Sequence, residues 1–472
     1  MRSGSGLGHR SLTSGPPARG PWKLSLEQAQ SRRQFLLSPL ALVCVFVLLI
    51  LLGALLLRLP LCTVDGGRTT FLDALFTATS AVCVTGLVVV DTGTHWTWFG
   101  QFVVLALIQV GGFGFMTSTT LLLRLFGRRI GLRERLLVGE TIAVSSPGGL
   151  IRTIRNMALL TLVVEGVGAL VLLVRFGQMD GMPRGLWTAL FQSVSAFNNA
   201  GFDVFGDFVS LINLRGDAVV VITTALLLIV GGLSYVVLAD IYRQRRFIWL
   251  ALDSKLVLVT TGVLLFGAML VYAQFEAANP ATLAAMPVRE RLLSVAFQAT
   301  TPRTAGFTTV NMSDMTDYSL LFTMFLMFVG GAAGSTAGGI KVNTFGLLAA
   351  TVVSTLRGRT QVSAYGRAFN TEHVHRALTV AVLALMFVSV TTLLLAVTEE
   401  ADILSLAFEA VSAFGTVGLS TGITPGLTDA GRLIVIVTMF VGRLGPLYIA
   451  LALVQRQRVR DFRYPVEPVR IG

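Results

Sequence analysis

Four segments of this chain repeat one pattern, a phenylalanine followed nine or ten residues later by a glycine, and repetition at so long a period decides an architecture before any single motif does. The segments are residues 76–87, 191–202, 297–307 and 408–419, with glycines Gly86, Gly201, Gly306 and Gly418 spaced 115, 105 and 112 residues apart. A second mark follows each glycine in the same order. Val110-Gly111-Gly112, Val230-Gly231-Gly232, Val329-Gly330-Gly331 and Val441-Gly442-Arg443 begin 24, 29, 23 and 23 residues after it, each inside an apolar run. The third copy is one residue shorter between its phenylalanine and its glycine.

Apolar residues make up 54% of the 472 and charged residues 13%, a balance that belongs in a bilayer rather than in a soluble globular domain. The apolar runs 35–57, 157–174, 218–238, 256–272 and 378–397 each have about the length a helix needs to cross hydrocarbon. The segments before the glycines, residues 72–84, 186–198, 291–302 and 403–415, are too short to cross and read as re-entrant half-helices. The expected fold is all-α and polytopic, with four repeats of helix, re-entrant pore loop and helix around one pseudo-fourfold pore, eight spanning helices in all. The repeats occupy residues 35–128, 129–250, 251–358 and 359–455, between a polar tail at 1–34 and a C-terminal tail at 456–472.

Charge orients the chain. With both termini on the inside, the tails and inter-repeat linkers carry 26 Lys or Arg against 8 Asp or Glu, while the glycine-bearing loops carry 9 against 16. By the positive-inside rule the tails and linkers are cytoplasmic and the pore loops lie outside. The net charge of +12 is explained in this way, with no basic domain of the kind that binds nucleic acid. Ser31-Arg32-Arg33-Gln34 resembles a twin-arginine export signal, yet the apolar run behind it is too long and lacks a cleavage site. Three cysteines without ligand spacing and four histidines without acids on one helix face indicate neither a disulfide framework nor a metal site. No enzyme and no cofactor of its own are expected of the chain.

Non-helical backbone at membrane depth is tolerated only where protein buries it or where it lines a wet path. Four such loops imply a shared axial pore in which backbone carbonyls replace the water around a cation, and glycine's freedom at positive φ lets the carbonyls point inward. The filter residues are Val84, Thr85 and Gly86; Asn199, Ala200 and Gly201; Thr304, Ala305 and Gly306; and Thr416, Val417 and Gly418. The alternative is that the glycines only permit close helix packing.

A gate is expected in the third repeat, at Gly330, Gly331, Ala332, Ala333, Gly334, Ser335, Thr336, Ala337, Gly338 and Gly339. Each interior glycine costs a helix about 1 kcal/mol against alanine, so five in ten residues break it. Arg443 stands where the other repeats have glycine and joins the gate, facing the pore; the alternative is a structural ion pair, for instance with Glu165. Lys341 is expected to snorkel to the cytoplasmic surface. The linker arginines Arg128, Arg129, Arg133, Arg135, Arg243, Arg245 and Arg246 either dock a gating partner or serve topology and anionic lipid.

With Thr85-Gly86-Leu87-Val88-Val89-Val90-Asp91-Thr92, Arg303-Thr304-Ala305-Gly306-Phe307, the run from Gly330 to Lys341 and Gly442-Arg443-Leu444-Gly445-Pro446-Leu447, residues 36–455 resemble the Trk/Ktr/HKT superfamily of potassium transporters. The bacterial Ktr-type membrane subunits are the most similar branch. The resemblance implies a potassium ion at the filter carbonyls and a homodimer in the bacterial cytoplasmic membrane. It also implies a cytoplasmic nucleotide-binding ring of the RCK type, which would hold the only nucleotide. Serine at the first filter position goes with sodium selectivity in plant relatives, so Gly86 points to potassium. A sodium-selective pore and a polytopic membrane enzyme are the other readings considered.

Overall fold

The computed structural model describes residues 39–64, 66, 69–113, 150–359 and 361–445. The two tails, the boundary at 128/129, Arg128, Arg129, Arg133, Arg135, Pro446 and Leu447 lie outside the described residues. Among the described residues the chain forms fourteen α-helices and one two-stranded hairpin.

The order repeats four times. A peripheral helix, then a short buried helix, then a third helix appear as α1 (Pro39–Leu57), α2 (Phe71–Val82) and α3 (Trp98–Gly112) in the first repeat. The second has α4 (Leu150–Asp180), α5 (Met182–Phe197) and α6 (Ala218–Gly232), extended by α7 (Tyr235–Gln244). The third has α8 (Leu252–Phe275), α9 (Val288–Thr300) and α10 (Asp317–Phe328), extended by α11 (Val342–Leu356). After a hairpin of β1 (Ser363–Ala364) and β2 (Arg367–Ala368), the fourth has α12 (Thr371–Thr398), α13 (Ile403–Gly415) and α14 (Asp429–Leu444).

Local chemistry starts several of these helices. Thr70 caps α2 by accepting from the Asp73 amide while its hydroxyl donates back to the Asp73 carboxylate, and Thr97, Asp217, Asp402 and Thr428 cap α3, α6, α13 and α14 in kind. Each such cap stabilises its helix by about 1 kcal/mol. Ion pairs tie the repeats together: Arg432 of α14 meets Asp73 of α2 at 2.7 Å, linking the fourth repeat to the first, and Arg215 meets Glu290 at 3.1 Å, joining the second to the third.

The short helices α2, α5, α9 and α13 form the centre. Their phenylalanines Phe76, Phe191, Phe297 and Phe408 are fully buried, so truncating any of them leaves a cavity that costs about 3–5 kcal/mol. The peripheral helices do the opposite. Leu162, Val163 and Leu170 on α4, Phe266 and Leu270 on α8, and Leu385 and Leu393 on α12 are all exposed, an apolar surface of the kind that marks a membrane or a partner interface.

Three described helices are long and apolar enough to cross a membrane by themselves: Ile154–Asp180, Leu252–Phe275 and Thr371–Thr398. The run 218–238, expected as one crossing, is instead broken. The helix stops at Gly232, Ser234 caps a new one by accepting from the Val236 amide, and the axes of α6 and α7 diverge by 95°. Two glycines with weak helix propensity followed by a capping serine account for the break.

Candidate functional site: a ring of four loops

Each short helix delivers its loop in the same way. Four residues after the phenylalanine stands a hydroxyl, Ser80, Ser195, Thr301 or Ser412, and its backbone carbonyl accepts from the amide of the residue before the filter glycine: Thr85 at 2.8 Å, Ala200 at 2.8 Å, Ala305 at 3.0 Å and Val417 at 2.9 Å. The hydroxyls themselves also bond the loop. Ser80 and Ser412 accept from the Gly86 and Gly418 amides at 3.0 and 3.2 Å, Ser195 donates to the Phe202 carbonyl at 2.6 Å, and Thr301 donates to the Phe307 carbonyl.

Held at that point, the backbone takes one shape four times. Val84, Asn199, Thr304 and Thr416 have φ of 55°, 58°, 69° and 50°, and two residues later Gly86, Gly201, Gly306 and Gly418 have φ of 90°, 69°, 80° and 90°. In an ordinary extended strand successive carbonyls alternate sides. Reversing φ at every second residue turns them toward one side instead. Val84, Thr304 and Thr416 are β-branched, for which positive φ is a genuine outlier costing about 1–3 kcal/mol. Such strain persists only where surroundings enforce it, and it gathers at functional sites.

The four loops close a ring. A side chain built on Gly86 would meet the Ala200 carbonyl oxygen at 2.5 Å, on Gly201 the Ala305 oxygen at 2.9 Å, on Gly306 the Val417 oxygen at 2.6 Å, and on Gly418 the Thr85 oxygen. Every filter glycine thus lies against the carbonyl that precedes the next repeat's glycine, and the fourth returns to the first.

A cavity of about 430 Å³ opens on one side of the ring, lined by the four glycines and by Asp91, Asp203 and Asp207. Asp91 ties two loops together, accepting from the Gly93 and Thr94 amides at 2.9 and 2.8 Å and from the Phe208 amide at 2.8 Å. Asp203 is pushed up to about 7 by burial and by the nearby Asp91 charge, against the lowering effect of the Phe205 amide and the Ser210 hydroxyl.

On the opposite side the segment after α10 crosses the ring. Residues 329–341 are non-helical, and the segment is pinned at its base, where the Gly330 amide donates to the Ile340 carbonyl at 2.8 Å and the Val342 amide to the Gly331 carbonyl at 2.9 Å. Its tip docks on the break between α6 and α7. The Ala332 amide donates to the Gly232 carbonyl at 3.0 Å and the Thr336 hydroxyl to the Gly231 carbonyl at 3.0 Å, so polar groups freed by one broken helix satisfy another. Arg443 holds the far side, donating to the Thr336 carbonyl and, at 2.6 Å, to the Gly111 carbonyl of the first repeat. Gly338, near the end of the crossing, leaves no room for a side chain beside Thr416.

Glu165 is not Arg443's partner. Its carboxylate accepts from Gln109 at 3.1 Å and from Asn198 at 2.9 Å, in a buried amide cluster behind the second loop. Lys341 does not snorkel either: its ammonium turns back on the loop, donating to the Ala337 carbonyl at 2.5 Å, because that oxygen lies within reach and has no helical donor.

The Val-Gly mark after each filter also acquires a cause. Side chains on Gly111, Gly231 and Gly442 would collide with the carbonyls of Val82, Phe197 and Phe414, at the C-terminal ends of α2, α5 and α13, so these glycines let the third helix press on the short one. In the third repeat Gly330 faces the Gly338 carbonyl instead, and the crossing segment fills that place. The four hydroxyls were not among the residues singled out from sequence. Their signal was available, as serine or threonine at the fifth position of every copy.

The TrkH family model, described as cation transport protein, matches residues 40–458. Among curated proteins, the Ktr system potassium uptake protein B of Bacillus subtilis is 42% identical over 427 residues, covering 90% of this chain and 95% of that protein. The potassium/sodium uptake protein NtpJ of Enterococcus hirae is 38% identical over 443 residues, covering 92% and 98%. Among solved structures, the potassium transporter TrkH from Vibrio parahaemolyticus superimposes with a TM-score of 0.68 at 20% identity, over 88% of this chain and 84% of that one, a likeness of fold.

Proposed function

The chain belongs to the TrkH family of cation transport proteins, and from that premise we propose that it is the potassium-conducting subunit of a Ktr-type uptake system, with its selectivity filter in the four-loop ring. As a member of that family with apolar helices it is a multi-pass membrane protein and a transporter rather than an enzyme. The observation that carries the filter reading is the ring itself, four left-handed pairs whose carbonyl and glycine contacts run from each repeat to the next and back to the first. Rings of backbone carbonyls replace the hydration shell of a potassium ion in such filters.

In this reading the cavity with Asp91, Asp203 and Asp207 is the outer vestibule, eight helices span the membrane, and both termini are cytoplasmic in a bacterial inner membrane. The crossing segment and Arg443 form the gate. Relatives named for a Ktr system support a regulatory subunit as partner. We assign that role to a nucleotide-binding ring on a homodimer of this chain.

Reconstituted alone in proteoliposomes, the protein should take up rubidium in preference to sodium. Sodium uptake at an equal rate would instead favour a poorly selective transporter, the reading that the name of the potassium/sodium relative makes the second one.

Arg443→Ala should raise rubidium flux by about tenfold. At an effective dielectric of about 20, a unit charge repels a cation about 6 Å away by roughly 3 kcal/mol, but the two carbonyls bonded to Arg443 offset part of that field. Flux unchanged or lowered would make Arg443 a structural clamp.

The vestibule should respond to pH. Asp203 is neutral below about 7 and charged above it, and a negative charge at the mouth concentrates cations. At subsaturating rubidium, uptake should therefore rise about two- to threefold as external pH goes from about 6 to about 8. Asp203→Asn should hold the rate at its low-pH level throughout; a variant that keeps the full pH response would remove Asp203 from the ion path.

A further inference from the structure

The end of α7 and the turn after it carry an exposed surface that neither filter nor gate uses. All nine residues from 241 to 249 are exposed, and among them basic and apolar side chains stand side by side: Arg243, Arg245 and Arg246 with Tyr242, Phe247, Ile248 and Trp249. No ion pair among the described residues engages the three arginines. The two carboxylates nearest them in the chain bond elsewhere, Asp240 accepting from the Ala251 amide at 2.9 Å and Asp253 from the Asn343 side chain.

The next helix fixes the depth of this surface. Helix α8 begins at Leu252 and is one of the three helices long and apolar enough to cross alone, so its first turn marks the edge of the hydrocarbon. The exposed segment is tied to that turn, because the Lys255 ammonium of α8 donates to the Ile248 carbonyl at 2.7 Å and lies 5.7 Å above the Phe247 ring. Phe247 also packs edge-on against Tyr365 of the hairpin, 6.1 Å between centroids, so the segment is held in place from two sides.

Tyrosine and tryptophan belong at headgroup level, where one end is apolar and the other wet, and unpaired arginines there meet phosphate. An acidic protein surface would match the three charges but would leave Ile248 and Trp249, both largely exposed, facing water. We propose that residues 242–249 form a binding site for anionic phospholipid headgroups in the leaflet opposite the vestibule, with Trp249 and Ile248 inserted at the acyl boundary. This site rests on the membrane reading above, and its leaflet is the cytoplasmic one in the proposed topology.

The test uses the full chain in vesicles of equal parts phosphatidylglycerol and phosphatidylcholine, with bromine carried on the chains of one lipid or the other. Only the label moves between the two samples. Trp249 is one of five tryptophans, so its emission is taken as the difference between the parent and Trp249→Phe. Brominated phosphatidylglycerol should quench that emission several-fold more than brominated phosphatidylcholine, since each arginine enriches anionic lipid by about fivefold at low salt. Replacing Arg243, Arg245 and Arg246 together by glutamine should equalise the two lipids, and replacing them by lysine should keep the preference. Equal quenching in the parent, a preference that survives the glutamine variant, or no quenching by either lipid, as for a surface reserved for a soluble protein, would each overturn the proposal. The quenching depends on lipid contact and not on flux, so the site stands or falls apart from the filter and gate.

Discussion

Gly86→Ser is expected to lower the preference for rubidium over sodium by about tenfold or more while the protein still folds and inserts. At φ of 90° the glycine occupies backbone space that a side chain strains by about 1–3 kcal/mol, and the new Cβ would lie 2.5 Å from the Ala200 carbonyl oxygen. Either the Gly86 backbone turns or the Ala200 carbonyl moves. Both change the oxygen positions of the proposed filter, and about 1.4 kcal/mol lost by the preferred ion is already a factor of ten. Gly181→Ser is the control, for Gly181 has φ of 77° but no atom within 4 Å of an added side chain. It carries the backbone strain without touching a carbonyl and should leave the ratio alone. The measurement is paired rubidium and sodium uptake into proteoliposomes. A Gly86→Ser protein with the parent's ratio would take the filter out of this ring.

The contrast between these two glycines marks what the sequence can express. Repetition put Gly86 in a set of four, because a motif recurring at matched positions is visible without coordinates, and the short helices that end at the loops followed from their length. The contacts that make the set a ring were not visible, since they join Gly86 to Ala200 and Gly418 to Thr85 across more than a hundred residues of chain. The same limit explains the broken helix. Hydropathy reads 218–238 as continuous because it counts side chains, whereas the break at Gly231 and Gly232 is stable because their carbonyls accept from Ala332 and Thr336, a hundred residues onward. Lys341 follows the same logic: its charge suggested solvent, and a carbonyl of the loop beside it decided its direction.

Deleting residues 332–337 is expected to raise rubidium flux through the protein alone by about a hundredfold. The segment crosses the ring on the side away from the cavity and is held there by Ala332 and Thr336 on the second repeat, by Arg443 of the fourth, and by the Ala333 amide on Asn343 at 2.9 Å. In the gate reading, a closed crossing favoured by roughly 3 kcal/mol, the size of a few such bonds at about 1 kcal/mol each, leaves about one molecule in a few hundred open. Removing the tip removes all of these bonds. The deletion spares the base, where Gly330 and Gly331 pair with Ile340 and Val342, and the joint is short because a side chain on Gly331 would lie 2.5 Å from the Ala337 Cβ. The shortened connection therefore closes without dragging α10 or α11. Arg443→Ala removes one of these bonds and leaves the segment in place, so its gain should be the smaller. The order of the two gains is itself diagnostic: a larger effect from Arg443→Ala would mean that charge, and not occlusion, sets the barrier. A deletion protein that inserts, keeps the rubidium-over-sodium ratio and transports no faster than the parent would make the segment a packing element between repeats two and four.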